Sequence, residues 1–362
     1  MSTPKIFLTG ASGYVGGDVL HALLTTHPEW ANSITLLLRT RSHESTIRSK
    51  YPNLNLNLFF ASYDTPADLA ALEAEVARHD LVLHFAVSAD CLPAAQAIVR
   101  GLEKRVDVGG VGIYIHTSGT DVLLDPEAKP EPIPVGQQVR VYDDWKGIDE
   151  LRRLPDAAPH REVDKFVLAA GTDTLKTAIV CPSTVYGVGR GPVSQRSDQI
   201  YKLARLILQN RQGYQFADGR TFWNAVHVYD LSRLYVSLVE DAIGLITTPT
   251  TEGQGNAQGG KATWNADGYY LVEAGIYHWG EVAKHITAEA YALGLVPSTG
   301  VTSVGIQERE ILAPAGRPVT NYAVRAEAVR AKELLGWRAV EGTLVEEIPA
   351  IVRSEARALG LL

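Results

Sequence analysis

From residue 5 the chain alternates short, dense apolar runs with longer stretches in which apolar residues recur every three or four positions. The runs KIFLT (5–9), ITLLLR (34–39), LNLFFA (56–61), LVLHFA (81–86), VGIYIHT (111–117) and LKTAIVC (175–181) read as strands. Between them, 14–26, 66–78 and 93–105 carry helical periodicity. Parallel neighbours need such crossovers, and strands that are apolar throughout suit a sheet covered on both faces. The pattern therefore predicts an α/β protein, a Rossmann-type doubly wound parallel sheet with a smaller C-terminal lobe.

The alternation loosens in two places. Residues 121–160 hold Pro126, Pro130, Pro132, Pro134, Pro155 and Pro159 among several acids, which reads as a long surface excursion. Residues 248–268 are a Gly/Thr/Gln-rich loop. Proline at 159 and glycine at 171 bracket a helix that feeds the strand at 175–181. Beyond about residue 190, helices at 196–210 and 278–293 mix with short strands such as YYLVE (269–273). The expected division is a core over 1–190, to which segments about 215–245 return, and a second lobe over most of 191–362. That lobe would sit over the carboxyl edge of the sheet, where open α/β folds bind ligands.

Composition narrows the partners. A 362-residue chain with 46% hydrophobic and 21% charged residues can bury a large core. Its formal charge of −7, with Lys and Arg scattered, offers no general attraction for nucleic acid or anionic lipid, so a small-molecule partner is expected. Cys91 and Cys181 are the two cysteines and lie in no C-x-x-C, so neither a disulfide framework nor a cysteine-built zinc site is argued. No H-E-x-x-H or carboxylate cluster at ligand spacing points to a metal. With no signal-peptide pattern and no long apolar run, the expected location is the cytoplasm, away from any membrane.

The first strand runs into Thr9-Gly10-Ala11-Ser12-Gly13-Tyr14-Val15-Gly16-Gly17 and then a helix. Glycines at 10, 13 and 16 let the chain turn sharply and let backbone N–H groups approach a pyrophosphate, with the helix N-terminus adding partial positive charge. At a strand-to-helix junction of a βαβ series this spacing predicts a dinucleotide site. The second strand ends in Arg39-Thr40-Arg41 where an acid would hold a ribose 2′-OH, and arginine suits a 2′-phosphate. NADP(H) is accordingly favoured over NAD(H).

Several pieces in order, TGASGYVGG (9–17), His84-Phe85-Ala86, IHTSGT (115–120), CPSTVYG (181–187), NAVHVYDL (224–231) and AKELLGW (331–337), resemble the extended short-chain dehydrogenase/reductase superfamily, in particular its NAD-dependent epimerase/dehydratase branch. The resemblance implies that Gly10, Ser12, Gly13, Tyr14, Val15 and Gly16 line the pyrophosphate and that Arg39 reaches the 2′-phosphate. Asp64 would lie near the adenine, although a helix N-cap is an equal alternative for it. Phe85 and Ala86 would flank the adenosine and ribose, Thr117 at the fifth-strand end would also bind the cofactor, and Pro182, Ser183 and Val185 would flank the nicotinamide. The family also commonly forms homodimers.

In the same family a Ser or Thr ending the fifth strand holds the substrate oxygen while a tyrosine, assisted by a lysine four residues on, moves the proton. Ser118 matches the first position. Tyr142 and Lys146, in VYDDWK (141–146), have the spacing that puts both side chains on one helix face, and Tyr142 follows Ser118 by 24 residues. Against them, Gly147, Pro155 and Pro159 interrupt the helix that should carry the pair. If the helix near 159–171 is the corresponding one, no tyrosine is available, which leaves His160 as a substitute proton carrier or no conventional acid–base pair at all. The expected activity is an NADP(H)-dependent oxidoreductase acting on a carbonyl or alcohol of a small organic substrate. A redox-neutral epimerase, dehydratase or isomerase and a non-catalytic NADP(H)-binding regulator stand as alternatives.

Overall fold

A computed structural model describes residues 4–107, 111–127, 138–247, 260–305, 307–308, 311 and 322–362. Seven strands form the central sheet: β1 (Ile6–Thr9), β2 (Ile34–Leu38), β3 (Asn57–Phe60), β4 (Leu81–His84), β5 (Gly112–Thr117), β6 (Leu175–Pro182) and β7 (Tyr269–Val272). All pairings are parallel and the order is β7-β6-β5-β4-β1-β2-β3, so the direction of winding reverses between β1 and β4. The reversal opens a crevice at the strands' carboxyl ends.

Period-two alternation sorts the core. Ile6, Leu8, Leu81, Leu83, Ile113 and Ile115 face the helices Tyr14–Thr26 and Val228–Thr247. Phe7, Val82 and Tyr114 face the helices Pro66–Val76, Leu92–Asp107 and Arg161–Ala170 on the other side. Both faces of the sheet are therefore buried, as the unbroken apolar runs required.

The strand expected at 269–273 does not belong to the lobe. The helix Val228–Thr247 packs against the first helix and brings the chain back to the sheet, where Tyr269–Val272, buried at all four positions, pairs with β6. Its open edge is closed by a side chain, since Leu271 N donates to the Asp144 carboxylate at 2.9 Å. The lobe itself consists of a three-stranded sheet (Thr184–Tyr186, Phe222–His227, Ile276–His278), the pair Gly213–Phe216 with Val301–Val304, and the helices Gln199–Asn210, Trp279–Ala292 and Leu344–Ala358.

Two of the sequence pieces lock together. Trp337 Nε1 donates to the Asp230 carbonyl at 2.8 Å, and the Asp230 carboxylate accepts from Val340 N and Glu341 N at 2.9 and 3.2 Å. Gly336, at φ +65°, ends the intervening helix in the left-handed region. NAVHVYDL and AKELLGW are thus the two halves of one buried joint. Of the proline-rich excursion, residues 128–137, with Pro130, Pro132 and Pro134, lie outside the described residues, as do 248–259 of the Gly/Thr/Gln-rich loop. Among the described residues no helix is long and apolar enough to cross a membrane.

Candidate active site

The turn after β1 is built by its glycines. Gly13 N donates to Gly10 O at 2.9 Å, and Gly10 sits at φ +75°, where an L side chain is strained. A Cβ at Gly10 would fall 2.9 Å from Phe85 Cβ, and one at Gly16 would fall 2.5 Å from Gly10 O. The first helix begins at N-cap Gly13 with no side-chain cap and no acid in its first turn. Its leading amides are left for a ligand at the positive end of the helix dipole.

Around this turn lies a cleft of about 730 Å³. Gly10, Ser12, Gly13, Tyr14, Val15 and Gly16 form its floor. Arg39 and Asp64 lie at one end, both exposed. Phe85 and Ala86 follow β4, pinned by donation of their amides to Thr9 Oγ1 at 2.9 and 3.1 Å. Thr117, Ser118 and Pro182 close the other end. Ser183 and Val185 do not line it: Ser183 N still donates to Val272 O at the edge of the central sheet, and Val185 lies in the strand Thr184–Tyr186 of the smaller sheet. Asp64 is not the cap of the following helix; Thr65 is, accepting from Asp68 N at 3.1 Å.

The cleft continues along Val87, Ser88, Ala89, Asp90 and Cys91. Val87 is β-branched, 65% exposed and held at φ 47°. Such a conformation costs on the order of 1–3 kcal/mol and persists where the surrounding site enforces it.

VYDDWK does not reach the cleft. Val141–Asp143 is a short strand paired with Arg325–Glu327, and Tyr142 is half-buried with the Arg140 guanidinium 5.1 Å from its ring centre. Burial, partly offset by Arg140, raises the Tyr142 pKa, opposite to what a proton carrier needs. Lys146 is exposed on the following turn, so the i, i+4 pair is on no common helix.

His160 caps the helix Arg161–Ala170 from the left-handed region, at φ 63°. Its Nδ1 faces Asp90 Oδ1 at 2.8 Å and its Nε2 faces Asp121 Oδ1 at 2.7 Å. Burial works against the imidazolium, but hydrogen bonds and charge from Asp121 and Asp90 outweigh it and raise the pKa to about 9. With both nitrogens engaged, His160 is a cation that fixes Asp90 at the cleft wall rather than a free base. Because its pKa is raised, its contribution to stability is full below the unfolded value of about 6.5 and is lost as pH rises through about 9. Allowing for solvent at Asp90, we expect up to about 2 kcal/mol from it. Urea denaturation should show His160→Gln less stable than the parent at pH 6 and nearly equal to it at pH 10; a gap independent of pH would contradict the paired cation.

Ser118 has a different neighbour. Its hydroxyl donates to Asp164 Oδ2 at 2.9 Å, and Tyr269 OH donates to the same oxygen at 2.6 Å. Asp164 is fully buried, and its Oδ1 stands 3.4 Å from His116 Nε2. Beyond His116, the Tyr114 hydroxyl lies 3.4 Å from His116 Nδ1 and 2.8 Å from His84 Nδ1. Among the described residues no group of three or more His, Cys, Asp or Glu is placed to hold a metal.

No protein-family profile matches the chain. Its sequence is similar to that of "Oxidase ucsJ" from Acremonium sp, 33% identical over 363 residues and spanning 99% of both chains. Its structure is similar to UDP-glucose 4-epimerase from Thermotoga maritima, with TM-score 0.61 and 15% identity over 98% of this chain and 99% of that one. It also resembles DesIV, a dTDP-glucose 4,6-dehydratase from Streptomyces venezuelae, with TM-score 0.63 and 17% identity over 98% and 97% of the two chains. The chain therefore belongs to one family with that oxidase, and it shares its fold with these nucleotide-sugar epimerases and dehydratases.

The helix Arg161–Ala170, offered by the sequence as the alternative place for the tyrosine and lysine, carries Asp164, a residue that sequence reasoning did not single out, nor did it single out His116 and Tyr269. One signal was available. Asp164 stands between Val163 and Val167 on the buried stripe of its helix, where an acid is out of place unless hydrogen-bonded.

Proposed function

We propose that the protein is an NADP(H)-dependent oxidoreductase that interconverts an alcohol and a carbonyl on a small organic substrate. The observation that carries this reading is one cleft holding an uncapped glycine turn, Arg39 at one end and Ser118 at the other. The oxidase named as a relative supports redox chemistry over a redox-neutral reaction.

The turn fits the cofactor physically, because Gly10 and Gly16 let the turn, the first helix and the segment after β4 pack closely together, and the first-turn amides carry no side-chain cap and can donate to a pyrophosphate. Arg39 would bind the 2′-phosphate, with Asp64 near the adenine and Phe85 and Ala86 along the adenosine and ribose. Pro182 would flank the nicotinamide, with Ser183 and Val185 behind it. When bound, the nicotinamide accepts or supplies hydride at C4. Ser118 positions the substrate oxygen, and Val87, Ala89 and Cys91 offer a largely apolar wall for the rest of the substrate.

Calorimetry should show NADPH binding more tightly than NADH. Arg39→Glu should weaken NADPH at least about tenfold through loss of a charge-assisted contact, with little change for NADH. Loss of reduced-nicotinamide absorbance against a panel of ketones and aldehydes then tests catalysis. Equal affinity for the two cofactors, unchanged in Arg39→Glu, would remove the NADP(H) assignment, and bound cofactor with no net turnover on any substrate would remove the oxidoreductase.

A further inference from the structure

The proton that accompanies hydride transfer needs a carrier, and Tyr142, Lys146 and His160 are not on the cleft wall. We propose that Asp164 is the base, reached through Ser118, so that Ser118 and Asp164 form a two-member proton relay. This rests on the oxidoreductase reading above.

The direction of the Ser118 hydrogen bond carries the argument. An ionised carboxylate only accepts, so the Ser118 hydroxyl hydrogen points into the protein toward Asp164 Oδ2. The lone pairs of Ser118 Oγ then remain for the cleft, which it lines, and they accept from a substrate O–H. In oxidation the alcohol proton passes to Ser118 Oγ as the Ser118 proton passes to Asp164. The carbinol C–H bond breaks with its electron pair going to the oxidised nicotinamide, and the substrate C–O bond becomes a carbonyl. One substrate proton ends on the carboxyl group and two electrons on the cofactor. The reverse sequence protonates the oxygen in reduction, and Asp164 exchanges its proton with solvent through Ser118 once the product has left.

The two oxygens of the carboxyl face different neighbours. Oδ2 accepts from Ser118 and from Tyr269, so it is held in line with the Ser118 hydroxyl. Oδ1 is buried with no hydrogen-bond partner, and so is the His116 Nε2 that faces it. Buried polar atoms are seldom left unpaired, so Oδ1 and Nε2 fix one another's orientation across this gap while the relayed proton arrives on Oδ2. His116 is in turn linked through the Tyr114 hydroxyl to His84, with His84, Tyr114 and His116 all fully buried. These three are positioning residues, since none of them lines the cleft.

The test has two arms. In the first, infrared difference spectra are taken across a single turnover as an oxidisable alcohol is added to the NADP⁺-loaded protein. A protonated-carboxyl band should appear in the parent and be absent in Ser118→Ala and in Asp164→Asn. In the second, kcat for a turned-over alcohol should fall about 100-fold or more in both variants, with KM and NADPH affinity within about threefold of the parent. A band that survives in both variants, or an Asp164→Asn enzyme turning over within threefold of the parent, overturns the relay. If Asp164→Asn does not fold, the parent and Ser118→Ala still decide the outcome by infrared. Failure of the parent to bind NADPH would overturn the cofactor reading and the relay with it, whereas NADPH binding with no carboxyl band overturns the relay alone.

Discussion

Gly16→Ala should lose at least about 100-fold in NADPH affinity, close to 3 kcal/mol, while remaining largely folded. The new Cβ would sit 2.5 Å from Gly10 O and 3.1 Å from Phe85 Cβ. Neither neighbour can yield cheaply. Gly10 O accepts the Gly13 amide that closes the turn, and the backbone after Phe85 Cβ is tied to Thr9 Oγ1. The first helix must therefore shift away from β1, which moves its uncapped amides out of line with a pyrophosphate. Gly336→Ala is the control: it also loses a needed glycine, at φ +65°, but nothing lies within 4 Å of its new Cβ. It should cost about 1 kcal/mol of stability and leave cofactor affinity alone. Calorimetric titration of both variants checks this, and equal affinity losses would mean that the turn is not where the cofactor binds.

What could be read in the chain was whatever local patterning controls. Strands that are apolar on both faces, helices between them and a glycine turn at the first junction are each written in a short consecutive stretch, and the structure has all of them. The helix from His160 to Gly171 was legible for the same reason, from punctuation at its two ends. Tyr269–Val272 was not, because a short buried strand reads alike in a lobe and at a sheet edge; its place depends on the preceding helix docking against the first one. The acid–base residues were least legible. Tyr142 and Lys146 satisfied a spacing rule that has meaning only on a helix, and the chain there is a strand and a turn. Asp164 satisfied no motif, and its importance comes from Ser118, Tyr269 and His116 converging on it from 46, 105 and 48 positions away along the chain.

The residue in VYDDWK with the largest effect should be Asp144 rather than Tyr142. Asp144 is fully buried, and its carboxylate accepts from three backbone amides, Leu271 at 2.9 Å and Val329 and Arg330 both at 2.8 Å. Its own carbonyl accepts from Arg330 Nε at 2.9 Å, and the Arg330 guanidinium lies 5.2 Å from the Trp145 ring centre. One side chain thus ties the excursion to the edge of β7 and to the start of the helix Arg330–Leu335. Asp144→Ala leaves three N–H groups without their acceptor, at about 1–3 kcal/mol each, so a total loss of at least about 3 kcal/mol is expected. That is a large share of the roughly 5–15 kcal/mol that holds a domain together, and the melting temperature should fall by roughly 6 °C or more. Tyr142→Phe keeps the half-buried ring and Lys146→Ala trims an exposed chain, so each should turn over within about twofold of the parent with an unchanged pH profile. Scanning calorimetry on Asp144→Ala beside steady-state rates for the other two separates the roles. A well-folded Tyr142→Phe with turnover abolished would return that tyrosine to the chemistry and displace the relay through Ser118.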